Sequence, residues 1–272
     1  NIDDPFDGTL GGVPNDPSPA DYKLVELEVA CSGCADTQIF SFTARTAPKN
    51  LETASPNGAL FVQAINASGG PVSGAVVQVV NNAVNPAVNI TDSTGIDGFL
   101  RIVDVPPANQ SYEITVHKPG YSTEKTYATS TANPNPLKPN VTVALQTVTQ
   151  ASFAIDRVST LNVESVKSTC EAVPNVAFTA TGAKLIGTTP DVLKFNQSYA
   201  TDISGLKTVA DLEWDNYNIA ALSASHDIAG TIPYLPLIVN PNTIQNLKLV
   251  MQPKSPLALL ITVKDAGTQL PL

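Results

Sequence analysis

The chain is poor in the side chains that most often carry chemistry. Its 272 residues include three Cys, two His, one Trp and one Met, and charged residues make up only 14%. The formal charge is −9, from 15 basic and 24 acidic residues. That balance argues against nucleic acid or an anionic membrane surface as the partner, because both require clustered Lys and Arg.

Long apolar runs and helical patterns are also missing. The longest apolar candidates, residues 234–239 and 257–263, have the length of a strand and not that of a membrane helix. No window repeats apolar residues at helical spacing between Glu and Lys. A signal peptide is not recognisable, and the chain starts at Asn1 without Met, so we expect a mature fragment whose targeting segment was removed.

What the sequence does contain indicates an exported β-protein. Hydrophobic residues make up 43%, and 16 Gly and 22 Pro provide many turns. After a turn-rich leader over residues 1–20, two runs alternate between apolar and polar residues at 22–31 and 37–47. Two alternating runs around a Ser-Gly turn predict a β-hairpin. We therefore assign residues 1–57 to an extended leader and hairpin region.

From residue 58 onward the strand pattern repeats. We predict a first β-sandwich module over residues 58–149, a second and divergent one over 150–255 with its opening strand at 153–156, and the opening strand of a truncated third module in 256–272. Short strands separated by turns, recurring with a period of about 100 residues, are typical of tandem β-sandwiches.

One turn anchors the comparison between the first two modules. Thr91-Asp92-Ser93-Thr94-Gly95 in the first is matched by Thr201-Asp202-Ile203-Ser204-Gly205 in the second. An Asp at the second position accepts hydrogen bonds from backbone amides two residues on, and a Gly at the fifth supplies a positive φ. We therefore expect Asp92, Gly95, Asp202 and Gly205 to form equivalent tight connections between strands.

The residues of the first module resemble a known family. The segments that carry the resemblance are Pro71–Ala75, Thr91–Gly95, Val105–Pro107, Tyr112–Val116 and Lys118–Tyr121. Together they are similar to the carboxypeptidase regulatory-like family of transthyretin-like, Ig-like β-sandwiches, which is related to the Cna-B modules of bacterial surface proteins. The resemblance implies an antiparallel sandwich without enzymatic activity, acting as a stalk, spacer or adhesive module in secreted and surface-anchored chains.

A second resemblance covers about 50 residues at the start of the chain. Asp21-Tyr22-Lys23-Leu24-Val25 before an alternating strand is similar to the region that follows the removed membrane helix in pilin-like and pseudopilin-like proteins. It implies an upstream membrane anchor that this chain does not include. Some Cna-B modules form a Lys–Asn isopeptide bond. Segments 60–64 and 153–156 contain no Lys, and only Lys264 stands at a matching place, so we expect no such bond within this chain.

The cysteines leave several interpretations open. Cys31-Ser32-Gly33-Cys34 could be a zinc half-site, but a second pair of ligands is missing, or a redox motif, but no βαβ pattern or helix start is near. We expect a disulfide that clamps the hairpin turn in an oxidising compartment, with reduced thiols as the alternative. Cys170 is then left over, or pairs with one of the first two.

Three carboxylates form the clearest candidate for a metal site. Asp211, Glu213 and Asp215 alternate, so on one strand they share a face, with Leu212 and Trp214 on the other face towards the core. Three like charges in a row repel unless a cation neutralises them. The alternatives are a Ca²⁺ site, since hard oxygen ligands suit that ion, and a solvated acidic face.

The sequence thus predicts an all-β chain of tandem Ig-like or transthyretin-like antiparallel sandwich modules preceded by a β-hairpin. No catalytic constellation is recognisable, and we expect no cofactor unless the three carboxylates hold Ca²⁺. We expect a non-catalytic, extracellular structural or adhesive protein, a stalk or a component of a pilus or filament. Its expected partners are other copies of itself or surface and pilus proteins. The alternative is an array of glycan- or protein-binding modules attached to a secreted enzyme.

Overall fold

The computed structural model describes Gly12 and residues 23–30, 39–46, 56–255, 261, 263 and 265–268. All regular secondary structure in these residues is β, which confirms the predicted all-β class. The described residues contain no helix with the length and hydrophobicity needed to span a bilayer. The chain divides into two compact units, which we call unit 1 (residues 1–117, 124–126 and 139–154) and unit 2 (residues 118–123, 127–138 and 155–272).

The predicted hairpin is present near the start of unit 1. Strand β1 (Lys23–Ala30) pairs antiparallel with β2 (Ile39–Thr46), in a register that runs from Lys23 opposite Thr46 to Ala30 opposite Ile39. Because side chains alternate between faces, the pairs Val25–Ala44 and Leu27–Phe42 share one face. Val25, Leu27 and Phe42 are exposed there.

The remaining strands of unit 1 form two sheets. One has the order β10-β3-β6, and the other has the order β5-β4-β7-β8, with β9 also paired to β7. Both sheets contribute fully buried side chains, including Leu60 and Val62 from one and Val77, Tyr112 and Ile114 from the other. The strands are β3 (Gly58–Ile65), β4 (Val76–Asn81), β5 (Val88–Ser93), β6 (Phe99–Val105), β7 (Ala108–His117), β8 (Glu124–Lys125), β9 (Val141–Val143) and β10 (Val148–Ala154).

Unit 2 contains two four-stranded sheets and a small two-stranded one. The large sheets have the orders β16-β11-β20-β18 and β15-β12-β17-β19, and β13 pairs with β14. The strands are β11 (Ser159–Val166), β12 (Ala177–Gly182), β13 (Leu185–Gly187), β14 (Val192–Leu193), β15 (Asn196–Ala200), β16 (Leu206–Leu212), β17 (Asp215–Ala221), β18 (His226–Ile232), β19 (Leu237–Val239) and β20 (Ile244–Pro253).

The core of unit 2 lies between the inner faces of its two large sheets. Leu161 and Leu247 from one sheet and Phe178 and Tyr217 from the other belong to one cluster of buried side chains. Alternation makes this possible, since β20 buries Leu247, Leu249 and Met251 and exposes the residues between them or leaves them half-buried. Each large apolar side chain buried in this way stabilises the fold by roughly 1.5–3 kcal/mol.

Each unit contains one parallel pair that the antiparallel expectation missed. Strands β3 and β10, the first and last strands of the two larger sheets of unit 1, run parallel over seven residue pairs, and so do β11 and β20 in unit 2. The other strand pairs are antiparallel. A parallel partner lies far away in the sequence, so no local turn signal announces it.

The last strand of unit 1 was predicted to open the second module. Phe153 is instead completely buried in β10, where its register partner is Ala64 of β3, and unit 2 begins its first strand at Ser159. The predicted boundary between residues 149 and 150 is therefore too early. An apolar alternating strand has the same pattern whether it closes one sheet or opens the next, which is why the sequence misplaced it.

A segment predicted within the first module also belongs to unit 2. Residues 127–138 lie in unit 2, where Pro136 bridges Gly187 of β13. Leu137 donates its N–H to the Ile186 carbonyl, and Thr188 donates to the Asn135 carbonyl, both at 3.0 Å. The buried Asn133 adds a side-chain hydrogen bond to the same Ile186 carbonyl at 3.1 Å. We call residues 127–138 the arm.

Candidate functional site

The turn that was expected to recur in both modules has a different register in unit 1. Thr91 and Asp92 lie in strand β5, and Asp92 Oδ1 accepts the N–H of the next residue, Ser93. In unit 2, Asp202 Oδ1 accepts the N–H groups of Ser204 and Leu206 at 2.8 and 2.9 Å, as predicted from its position. The assignment of Asp92 and Gly95 to an equivalent turn is therefore wrong.

The true counterpart in unit 1 begins three residues downstream, at Thr94. Gly98 has a φ of 78° and Gly205 a φ of 75°. In both units the glycine carbonyl accepts a backbone N–H at 2.8 Å, from Ala64 and from Ser165. A Cβ on Gly98 would lie 2.7 Å from the carbonyl oxygen of Ala64, and a Cβ on Gly205 would lie 2.7 Å from the carbonyl oxygen of Ser165. The sequence favoured the wrong register because residues 91–95 share Thr, Asp and Gly with residues 201–205, whereas residues 94–98 have Gly instead of Asp at the second position.

A buried hydroxyl fastens this turn to the neighbouring strand in unit 1. Thr94 Oγ1 donates to the Val72 carbonyl at 2.6 Å and accepts the Ala75 N–H at 3.0 Å. Because both backbone groups are bonded, the loop can be buried without the penalty of an unpaired polar group.

In unit 2, two hydroxyls bond the corresponding turn to the neighbouring backbone. Ser165 donates to the Val173 carbonyl at 2.6 Å, and Thr201 accepts the Val176 N–H at 2.9 Å. The two hydroxyl oxygens are 2.9 Å apart. A hydroxyl has one proton, so with Ser165 donating to Val173 it is Thr201 that donates to Ser165. Sequence reasoning missed Thr94, Thr201 and Ser165, because nothing in the pattern marks them as buried.

The three carboxylates predicted to line one strand do not do so. Strand β16 ends at Leu212 and β17 begins at Asp215, so Glu213 and Trp214 connect two strands. Asp211 has a φ of 56°, which breaks the regular alternation. Trp214, expected in the core, is only half-buried.

Two lysines neutralise Glu213. Lys184 Nζ lies 2.7 Å from Glu213 Oε1, and Lys194 Nζ lies 2.8 Å from Oε2. Lys184 Nζ also sits 3.4 Å from the centre of the Trp214 ring. Among the described residues, no group of three His, Cys, Asp or Glu side chains is placed to hold a metal ion. We call Lys184, Lys194, Glu213 and Trp214 the lysine cluster.

Further ionisable groups lie next to the lysine cluster. Asp215 Oδ2 accepts the Lys184 backbone N–H at 2.9 Å, which joins the start of β17 to the chain before β13. Burial lowers the pKa of the Lys184 ammonium, although the Glu213 carboxylate opposes that shift. Burial raises the pKa of the Tyr217 phenol, and the negative charges of Asp215 and Glu213 add to the increase.

Two buried tyrosines occupy corresponding places in the units. Tyr112 of β7 donates its hydroxyl to the Pro106 carbonyl, and Tyr217 of β17 donates to the Glu213 carbonyl at 2.9 Å. Each bond ties the strand back to the connection that precedes it. Both tyrosine rings fill the core while their polar tips stay satisfied, which is the usual condition for burying a tyrosine.

The described cysteine is not part of a disulfide. Cys170 is a free, exposed thiol with a φ of 64° in the tight turn after β11, where its N–H donates to the Lys167 carbonyl. It takes the place that Gly69 has in unit 1. Cys31 and Cys34 lie outside the described residues, so a disulfide between them remains a prediction. The same holds for Lys264 and for most of the predicted third module.

The parallel terminal strands are the arrangement with the clearest mechanical consequence. In unit 2, Glu164 lies opposite Lys248, with their charged atoms 3.0 Å apart, and Asn162 donates to Asn246 at 3.1 Å. In unit 1, Ser152 donates to Gln63, its register partner, at 3.0 Å. We call each parallel pair, β3–β10 and β11–β20, a clamp.

A clamp responds to tension in a defined way. In each clamp the strand that comes earlier in the chain receives tension at its start and the later strand receives it at its end, and the two strands run in the same direction. Tension along the chain therefore pulls the two strands in opposite directions along their length. The hydrogen bonds of all seven residue pairs are loaded together, so they cannot break one after another.

Comparison with known proteins gives distant matches only. No family model matches the sequence, and no curated protein matches it. Among solved structures, the Bacillus anthracis TIE protein is 14% identical with a TM-score of 0.30, over 84% of this chain and 42% of that one.

Two further structures are similar at the same level. The Streptococcal ancillary pilin is 11% identical with a TM-score of 0.30, over 83% of this chain and 75% of that one. The minor pilin GBS52 of Streptococcus agalactiae is 12% identical with a TM-score of 0.28, over 74% and 99%. The chain thus spans less than half the length of the first match and most of the other two. TM-scores this low decide neither the fold nor the function.

Proposed function

We propose that this chain is a non-catalytic structural protein of the cell surface, belonging to a stalk, pilus or similar filament, whose sandwich modules transmit tension. The observation that carries the proposal is the clamp in each unit, a parallel pair of first and last strands over seven residue pairs. A chain that carries load between its ends uses such a pair in the lengthwise direction, and this chain has one in each unit. The partners would be further copies of the chain or other surface proteins.

The proposal agrees with the resemblance of residues 58–146 to carboxypeptidase regulatory-like modules. It takes the module organisation from the sequence, with the boundary between the sandwiches moved to the end of β10. A glycan-binding array is less well supported. Among the described residues each unit has one strongly exposed aromatic side chain, Phe42 in unit 1 and Tyr234 in unit 2, and within a unit a single ring provides no row of stacking surfaces.

Single-molecule pulling with two geometries tests the proposal on unit 2. In the first variant, cysteines replace Thr160 and Gln252, so that the handles load the clamp lengthwise. In the second, cysteines replace Thr160 and Ile244, which are register partners at one end of the clamp. Both variants carry serine in place of Cys31, Cys34 and Cys170.

We expect the first geometry to unfold at clearly higher force. Lengthwise loading strains many hydrogen bonds at once, whereas the second geometry peels the pairs apart singly. Each backbone hydrogen bond contributes about 1 kcal/mol, which corresponds to roughly a fivefold change in rate, and forced unfolding is governed by that rate. Equal rupture forces in the two geometries would contradict a mechanical role for the clamp.

A further inference from the structure

Two glycosylation motifs lie at corresponding places in the two units. The pattern Asn-x-Ser/Thr is the acceptor for N-linked glycans in exported proteins. The sequence contains it five times, beginning at Asn66, Asn89, Asn109, Asn140 and Asn196. In unit 1, Asn89 comes five residues before the buried Thr94. In unit 2, Asn196 comes five residues before the buried Thr201. Because these threonines fasten equivalent turns, the two motifs are equivalent as well.

The strand pairing agrees with this equivalence. In unit 1, Asn89 of β5 lies opposite Val80 of β4, and β4 lies between β5 and β7. In unit 2, Asn196 of β15 lies opposite Thr181 of β12, and β12 lies between β15 and β17. Each motif therefore occupies the corresponding strand of its sheet.

Both motifs face away from the core. Asn89 and Thr91 are exposed in β5. Asn196 and Ser198 are exposed in β15. The neighbouring strands bury the alternate set of side chains, among them Val79 of β4. Since alternate side chains of a strand point the same way, each asparagine shares the outer face with the hydroxyl residue of its own motif.

The fold holds the other three motifs more closely. Asn66 Oδ1 accepts two backbone N–H groups of its own turn, at 2.8 and 3.0 Å. Asn109 Oδ1 accepts a threonine hydroxyl of β9 at 2.9 Å, and Asn140 Oδ1 is buried. By contrast, the hydrogen bond that Asn196 Oδ1 accepts from Thr181 is long, at 3.4 Å. A bulky group fits best on an amide that contributes little to the bonding of the fold.

Both exposed motifs also lie at a sheet edge. Among the described strands, β5 ends the order β5-β4-β7-β8 and β15 ends the order β15-β12-β17-β19. The backbone of an edge strand can pair with another chain, and proteins guard against this with Lys, Pro or a covering group. Neither β5 nor β15 contains Lys or Pro. A glycan at each edge would supply such a cover, since glycans are bulky and solubilising.

We propose that Asn89 and Asn196 are acceptor sites for N-linked glycans, which cover the sheet edges formed by β5 and β15. The inference goes beyond the load-bearing role. It rests on the proposed function only for the cell-surface location, because N-linked glycans are attached to exported chains.

The reaction is a substitution at the anomeric carbon of a sugar carried on a lipid-linked diphosphate, and a membrane glycosyltransferase catalyses it. The asparagine Nδ2 forms a bond to that carbon. The carbon–oxygen bond to the diphosphate breaks, and the diphosphate leaves with the electron pair. The amide nitrogen loses one proton, and nothing is oxidised or reduced.

Peptide mass spectrometry of the chain recovered from the surface of the cells that produce it tests the proposal. We expect a glycan mass on the peptides that contain Asn89 and Asn196, and none on the other three motifs. Unmodified Asn89 and Asn196, or equal occupancy of all five motifs, would overturn the inference and leave the proposed function intact. Absence of the chain from the cell surface would contradict both.

A matched pair of variants shows whether the motif itself directs the modification. Thr91→Val keeps a β-branched side chain but removes the hydroxyl that the motif requires, whereas Thr91→Ser keeps the motif. We expect Thr91→Val to lose the glycan at Asn89 completely and to keep the one at Asn196, which shows that the variant is still exported and processed. Thr91→Ser should carry both. A glycan that stays on Asn89 in Thr91→Val would contradict the assignment.

The covering role has its own measurement. A chain with both Asn89→Gln and Asn196→Gln keeps polar amides at the two edges but loses the acceptors. We expect it to self-associate at a lower concentration than the glycosylated parent chain in sedimentation velocity. Equal association of the two chains would overturn the role of the glycans as edge covers.

Discussion

At the scale of single residues, the negative charge of Glu213 in the lysine cluster stabilises the fold. Glu213 is largely buried and serves two ammonium groups, those of Lys184 and Lys194. Without it, the two ammonium groups would repel each other in a poorly solvated place. Removing one partner of a buried set of ion pairs lowers the free energy of unfolding by more than the whole set contributes to it, because the remaining charges are left uncompensated.

We therefore expect Glu213→Gln to lower the free energy of unfolding by about 1–3 kcal/mol. Glu171→Gln is the matched control. Glu171 pairs with Lys167 at 2.7 Å, but both side chains are exposed, and exposed pairs contribute little. Urea denaturation monitored by the fluorescence of Trp214, the one Trp of the chain, measures both. Equal stability of the two variants would contradict a structural role for the cluster.

The raised pKa of Tyr217 predicts how the free energy of unfolding changes in alkaline solution. Its pKa in the folded chain is raised, first by burial and then by Asp215 and Glu213. Above pH 10 or so an unfolded tyrosine loses its proton while the folded one keeps it. The unfolded state then binds fewer protons, so the free energy of unfolding falls as the pH rises above this value and is unaffected below it.

Tyr217→Phe should remove this part of the alkaline loss. At neutral pH the variant should lose about 1 kcal/mol, since the hydrogen bond to the Glu213 carbonyl is gone. Tyr234→Phe removes the same hydroxyl at an exposed position and serves as the control. Denaturation at a series of pH values from 7 to about 11 compares the slopes. If the free energy of unfolding of Tyr217→Phe fell with pH as steeply as that of the parent chain, Tyr217 would not be the source of the alkaline loss of stability.

At the scale of elements, the arm depends on the absence of a side chain at Gly187. A Cβ there would lie 1.9 Å from Asn133 Oδ1, and Asn133 is itself buried and bonded to the Ile186 carbonyl. Either the asparagine or the strand β13 would have to move. Glycine at this position is what allows the arm to lie so close to β13.

Gly187→Ala should therefore loosen the arm. We expect a loss of about 1–3 kcal/mol, as for other overpacked sites, together with faster proteolysis within residues 127–138. Gly230→Ala is the control, since a Cβ at Gly230 has no atom within 4 Å. Limited proteolysis followed by mass spectrometry locates the cleavage. Unchanged cleavage of the arm in Gly187→Ala would mean that Asn133 adjusts without cost.

At the scale of the whole molecule, the two units repeat one plan with different additions. Each has a clamp, a left-handed glycine at Gly98 or Gly205, and a buried hydroxyl at Thr94 or Thr201. Unit 2 adds strand β18 and the β13–β14 hairpin with the arm. The additions, and not the shared plan, distinguish the two units.

Several features of this protein follow from local sequence alone. Period-two alternation predicted the β1–β2 hairpin, because the side chains of a strand point alternately to its two faces. The Asp202–Gly205 turn followed from its side-chain hydrogen bonds and from the positive φ of glycine. An all-β class was predictable for the same reason, since no stretch has helical spacing.

Other features were decided only in the tertiary structure. The parallel partner of β3 lies about 90 residues away along the chain, and the partners of Glu213 lie 19 and 29 residues before it. Nothing near Glu213 in the sequence reveals that Lys184 and Lys194, which flank the β13–β14 hairpin, reach its carboxylate. Pairing over such distances depends on which faces pack together, and that is settled by the three-dimensional arrangement of the core.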